Sequence, residues 1–142
     1  MTTSITVPIT LTLAERHTLS DLIEGFLHDR GWEGVRAARY SMDIEAAAAK
    51  LLRLAALKAL VEGEHHLPPD IDVAALRSEL AAWWQERVAT VDEHDAQIAE
   101  TPAGVTDGIA ELWQQSAVDY AHQRVCERII GQIDAACGAV AV

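Results

Sequence analysis

The chain has 142 residues, half of them apolar, with 22 acidic against 11 basic side chains and a formal charge of −11. That length and composition suit one domain with one aliphatic core, since four Trp, two Tyr and one Phe are the only aromatics. The acidity disfavours broad contact with nucleic-acid phosphates, and no apolar run approaches the ~20 residues that span a bilayer.

The charge is unevenly placed. Residues 1–58 carry seven acidic and seven basic side chains, whereas residues 59–142 carry fifteen and four. The second half therefore holds the whole excess. Two cysteines, Cys126 and Cys137, do not make a disulfide framework. Eleven residues apart on one helix they stand about 16 Å apart, beyond bonding reach. Residues 2–12 lack a charged start and a long apolar centre, so a secretory leader is not expected and a cytoplasmic protein is.

Residues 4–12 alternate strictly, with Ile5, Val7, Ile9 and Leu11 set against Ser4, Thr6, Pro8, Thr10 and Thr12. Period two with β-branched residues predicts a short extended strand, and Pro8 confines it to an edge. A lone strand among helices has no expected partner in its own chain. It either lies over the bundle or pairs with a second copy.

Thr12 and Glu15 form a capping box that opens a first helix over 12–30, ended by Gly31. A connector follows, with Gly31 to Gly34 as its turn. The second helix, 41–64, is the longest uninterrupted run of strong helix formers, with Ser41, Asp43 and Glu45 at its start and Gly63, Pro68 and Pro69 beyond its end. It has two apolar faces. Ala48, Leu52, Ala55 and Ala59 make a small-residue face, and Leu54, Leu57 and Val61 lie roughly opposite. Such a helix is either enclosed by its own chain or forms the seam of a dimer, and a homodimer is expected.

Asp72 caps a third helix over 72–100 with an apolar stripe of Val73, Leu76, Leu80, Trp84, Val88, Val91 and Ile98. Trp83 falls outside that stripe, because two adjacent residues of a helix cannot face one core. Glu79, Glu86, Glu93 and Glu100 recur every seven residues and share one face. Thr106 caps a fourth helix over 106–137 that stops at Gly138 and uses Ile109, Leu112, Trp113, Tyr120, Ile129, Ile130 and Ile133. Four helices joined by short turns predict an all-α, up-and-down four-helix bundle with a short N-terminal extended strand, one domain spanning 1–142.

Five constellations bear on function. The first is an interaction surface, and it is the reading the sequence favours. Glu79, Glu86, Glu93 and Glu100 with Trp83 nearby would dock an acidic, Trp-bearing helix face on a basic protein partner, as a small accessory or inhibitor protein does. No cofactor is expected.

The second is DNA binding. The order strand, helix, turn, Ala/Leu-rich helix over residues 4–62 resembles the ribbon–helix–helix family. That resemblance implies a dimeric regulator whose paired strands enter the major groove, with Thr6, Pro8 and Thr10 at the outward positions and basic support from Arg36 and Arg39. None of the three outward residues is basic.

The third is a metal site. Di-metal bundles use Glu-x-x-His steps, which place both ligands on one helix face. Glu62 with His65, and Asp119 with His122, stand at that spacing. The fourth is a thiol site from Asp119, His122 and Cys126 at i, i+3 and i+7. The fifth is a likeness in size and class to the helical pyrophosphatases. Their Glu-x-x-Glu step is absent, with Asp92 and Asp95 the nearest pair, so this likeness extends to fold class alone.

Overall fold

The computed structural model describes residues 6–26, 44–104 and 107–140. Four helices account for most of them: α1 (Leu13–Phe26), α2 (Ile44–Val61), α3 (Val73–Glu100) and α4 (Ile109–Val140). They form the expected four-helix arrangement. α3 and α4 make the principal hairpin, and α1 packs on both α2 and α4. The hairpin is antiparallel, as three ladder-like pairs record: Arg77 with Asp134, Trp84 with Glu127, and Ser116 with Asp95.

Local chemistry sets the ends. At α1 the capping box is complete, with the Thr12 N–H donating to Glu15 Oε1 at 2.9 Å and the Glu15 N–H donating to Thr12 Oγ1 at 3.1 Å. α2 closes on Gly63, whose φ of 114° is open to glycine and strained for other residues. The Gly63 N–H donates to the Leu60 carbonyl and the Glu64 N–H to the Ala59 carbonyl, which is a Schellman cap. At α3 the Asp72 carboxylate accepts from the Ala75 N–H. α4 begins at Ile109 after Gly108, which has φ of 80°, and it runs on to Val140 instead of stopping at Gly138. A glycine costs a helix only about 1 kcal/mol and ends it only where the backbone turns left-handed. The expected caps Ser41, Asp43 and Thr106, the Gly31 stop and the 31–34 turn lie outside the described residues.

The N-terminal segment differs from expectation in a way that matters for function. It has a partner in its own chain. The Ile9 N–H donates to the His65 carbonyl at 2.8 Å and the Leu67 N–H donates to the Val7 carbonyl at 2.9 Å, making one antiparallel bridge of Pro8 with His66. The rigid loop after α2 supplies the edge that a helical protein was expected to lack. Pro8 fits because its missing N–H falls at the non-bonded position of the bridge. The opposite edge is occupied too, by Gln132 of α4, which accepts from the Thr10 N–H at 2.6 Å and donates to the Thr10 carbonyl at 2.9 Å. Val7, Ile9 and Leu11 are then driven inward and fully covered.

The core joins these three residues to Leu19, Leu22 and Ile23 of α1, Leu54, Leu57 and Leu60 of α2, Leu76, Leu80 and Trp83 of α3, and Val125, Cys126, Ile129 and Ile133 of α4. It is aliphatic, as the composition requires. α2 contributes only one of its apolar faces. Leu54, Ala56, Leu57 and Leu60 are buried, and Ala48, Leu51, Leu52 and Ala55 are exposed. Lys50 and Arg53 tie α2 to α3 through Glu79, at 3.6 and 2.6 Å.

Candidate functional site

The first half of α4 inverts the expected pattern. Its buried residues are Ser116, Asp119 and His122, whereas Trp113 and Tyr120 stand 58% and 52% exposed. Polar groups can occupy a helix interface only if their hydrogen bonds are met there, and α3 meets most of them. Asp119 Oδ2 lies 2.9 Å from His94 Nδ1, and its Oδ1 lies 3.5 Å from Arg87 Nη1. Its side chain is 6% exposed. An ionised carboxylate only accepts, so the His94 ring meets it as a donor through Nδ1.

This junction borders an open groove of about 480 Å³ lined by Arg87, Thr90, His94, Gln114, Val118 and Asp119, among others. A carboxylate-oriented imidazole beside a groove is the geometry of a general base. The neighbouring hydroxyls are committed elsewhere, Thr90 donating to the Glu86 carbonyl and Ser116 to Asp95 Oδ1. Cys126 supplies no thiolate, since burial pushes its thiol up to about 12.

His122 sits deeper. Burial first, and the positive charge of Arg87 second, hold its pKa below the usual imidazole value, and its Nδ1 is buried with no hydrogen-bond partner among the described residues. Asp119 and His122 thus share a helix face, as the i, i+3 spacing requires. Glu62 and His65 lie at the exposed end of α2. Among the described residues no group of three or more His, Cys, Asp or Glu could hold a metal ion.

On the other flank of the hairpin, Tyr120 donates to Asp95 Oδ2 at 2.9 Å while Ser116 donates to Oδ1 at 2.7 Å. These two hydrogen bonds hold the Asp95 carboxyl below its usual range, and the bond to Asp95 pushes the Tyr120 phenol above its own. Asp92 is close enough to add to the effect on Tyr120. Trp113, Ala117 and Tyr120, at i, i+4 and i+7, form one exposed row on α4. The result is an acidic, aromatic face made by Trp113 and Tyr120 with Asp92 and Asp95.

This face differs from the one expected at Glu79, Trp83, Glu86, Glu93 and Glu100. Trp83 is 4% exposed and belongs to the core, whereas Trp84 is half-buried and donates from Nε1 to Glu127. Glu79 is largely covered by its pairing with Arg53 and Lys50. Glu86, Glu93 and Glu100 remain exposed. The inward face of α3 includes Arg87 and His94, which a search for apolar spacing skips. Including them turns the helix so that Trp83, not Trp84, points in. The signal that could have found Trp113 was the set of polar residues one turn away, Ser116 and Asp119, facing Asp95 and His94.

Of the DNA-reading positions, Thr6 and Thr10 are exposed, and Arg36 and Arg39 lie outside the described residues. The backbone at Thr10 is bonded to Gln132, and its neighbour Ile9 is bonded to the His65 carbonyl on the other edge. No described helix is long and apolar enough to cross a membrane. In comparisons with known proteins, no family model, no curated protein and no solved structure matches this chain.

Proposed function

We propose that the chain is a non-enzymatic helical interaction protein, working as a cytoplasmic homodimer, that docks its acidic aromatic face on a basic segment of another protein. The single observation that carries the reading is the exposure of Trp113 beside a Tyr120 whose hydroxyl is anchored on Asp95. Large aromatics are the residues that supply most binding energy at interfaces, and leaving two of them in water on one helix row is costly in a monomer. A Lys or Arg of the partner would lie over the indole or phenol ring and pair with Asp92. The two free thiols, Cys126 and Cys137, fit a reducing compartment.

The test is a pull-down of tagged protein from nuclease-treated host lysate at two salt concentrations, with Trp113→Ala in parallel. Trp113 makes no contribution to the core, so the variant keeps its fold by circular dichroism. The expected result is a stoichiometric partner that the variant binds at least tenfold more weakly, as befits loss of an anchor worth about 2 kcal/mol. An identical set of bound proteins for both chains overturns the reading.

A further inference from the structure

The aromatic face does not stop at Tyr120. Trp113, Ala117, Tyr120, Arg124, Glu127 and Gly131 follow one another at spacings of four and three residues, which keeps them on one side of α4. Two bonds fasten this side to α3 along its length, Tyr120 to Asp95 and Trp84 to Glu127. The face is therefore a strip along the α3–α4 seam, about 27 Å long from Trp113 to Gly131.

At its far end lies a shallow well of about 280 Å³, lined by Ala81, Trp84 and Gln85 of α3 and by Glu127, Ile130 and Gly131 of α4. Gly131 keeps the well open. A Cβ at that position would meet nothing within 4 Å, so no side chain of α3 fills the space above the backbone. The indole N–H of Trp84 is bonded to Glu127, so what its ring offers the well is apolar.

The charges along the strip say what kind of molecule covers it. Asp92, Asp95 and Glu127 are exposed there, and of the six residues in the α4 row one, Arg124, is a cation. An occupant has to bring positive charge to the carboxylates near Tyr120 and apolar surface to the well. That is the make-up of a basic amphipathic helix, and the furrow between two antiparallel helices accepts a third helix along its length. An anionic membrane surface would be repelled by the same carboxylates.

We infer that the occupant is a basic amphipathic helix of the partner protein, which sets a cation over Tyr120 and an apolar side chain in the well at Gly131. Tyr120 and Gly131 are eleven positions apart on α4, or about 16 Å, so the two anchors stand three turns apart on a partner helix lying alongside. Arg124, between them, faces a small or acidic residue of that helix. The inference rests on the aromatic-face reading and adds to it the partner's conformation and a second anchor.

Isothermal titration calorimetry tests it with an acetylated helical peptide of Lys, Leu and Ala, about 18 residues long to match the strip, with its leucines on one side. Gly131→Leu fills the well, and it should melt no lower than the parent because leucine favours a helix more than glycine does. The expected result is binding that weakens with salt and falls at least tenfold in Gly131→Leu and in Trp113→Ala. Binding that Trp113→Ala weakens and Gly131→Leu does not overturns the second anchor and leaves the aromatic-face reading standing. Binding indifferent to Trp113→Ala overturns that reading and the inference together. A peptide broken by a central proline that binds equally well overturns the helical occupant. No binding to the parent overturns the inference, while partner capture through Trp113 in the pull-down would stand.

Discussion

His94 Nδ1 and Asp119 Oδ2 lie 2.9 Å apart across the α3–α4 hairpin, and Arg87 approaches the other oxygen of the same carboxylate. One buried side chain thus holds two partners from the facing helix. The junction fixes the rotation and register of the hairpin more strictly than apolar packing does, because leucines slide with little loss and an unpaired carboxylate does not.

Removing that carboxylate should therefore cost more than its size suggests. Asp119→Ala leaves Arg87 and His94 facing each other without an anion. Both are partly exposed, so we expect a loss of about 2–3 kcal/mol, below the cost of breaking a fully buried pair. Chemical denaturation measures it. A loss under about 0.5 kcal/mol, the range of an ordinary surface substitution, would show that the junction is not structural.

His122 makes stability depend on pH. Burial keeps its folded pKa below the ordinary 6.5, with Arg87 opposing and Asp119 and Asp21 favouring its charge. As pH falls through about 6.5 the unfolded chain gains a proton that the folded chain refuses, so stability declines. Its contribution is present above 6.5 and is lost toward the lower folded value. Asp95 has its folded pKa lowered as well, but from 3.8, so its loss comes in a separate, more acidic window. His122→Gln should flatten the melting temperature below pH 6.5 and leave the more acidic limb unchanged. An unaltered slope between about pH 6.5 and 5 would rule out His122 as its source.

The N-terminal segment is held on two sides, and the sides are separable. Gln132→Ala removes both bonds to Thr10 and should cost about 1 kcal/mol. Hydrogen exchange by NMR should show the Thr10 amide losing protection while Ile9, bonded to the His65 carbonyl, keeps it. Equal loss at both amides would mean that the segment detaches as a unit.

The two cysteines should react very differently. Cys137 is exposed, whereas the buried Cys126 has a pKa of about 12. At about pH 8 its thiolate is on the order of one part in ten thousand. A thiol reagent should titrate one equivalent quickly and the second only in denaturant. Two fast equivalents would show that the core opens readily around α4.

The sequence by itself determined the elements. The capping box at Thr12, the cap at Asp72, the Schellman glycine at Gly63 and the alternation that buries Val7, Ile9 and Leu11 are local patterns, because hydrogen bonds within a turn and the period of side chains are set by near neighbours. The doubly apolar character of α2 was legible for the same reason.

Only the tertiary structure decided which way the helices face. Trp83 enters the core while Trp84 packs at its edge, and Trp113 and Tyr120 lie outside it. The reason is that Asp119 pairs with Arg87 and His94, and Ser116 with Asp95, across the hairpin. Each looks like a surface residue when read alone, and only the pairing of partners 21 to 32 positions apart makes their burial possible. The partner of the N-terminal strand was hidden likewise. His65 and Leu67 belong to a proline-bounded loop with no strand signature, and two backbone bonds suffice to make it an edge.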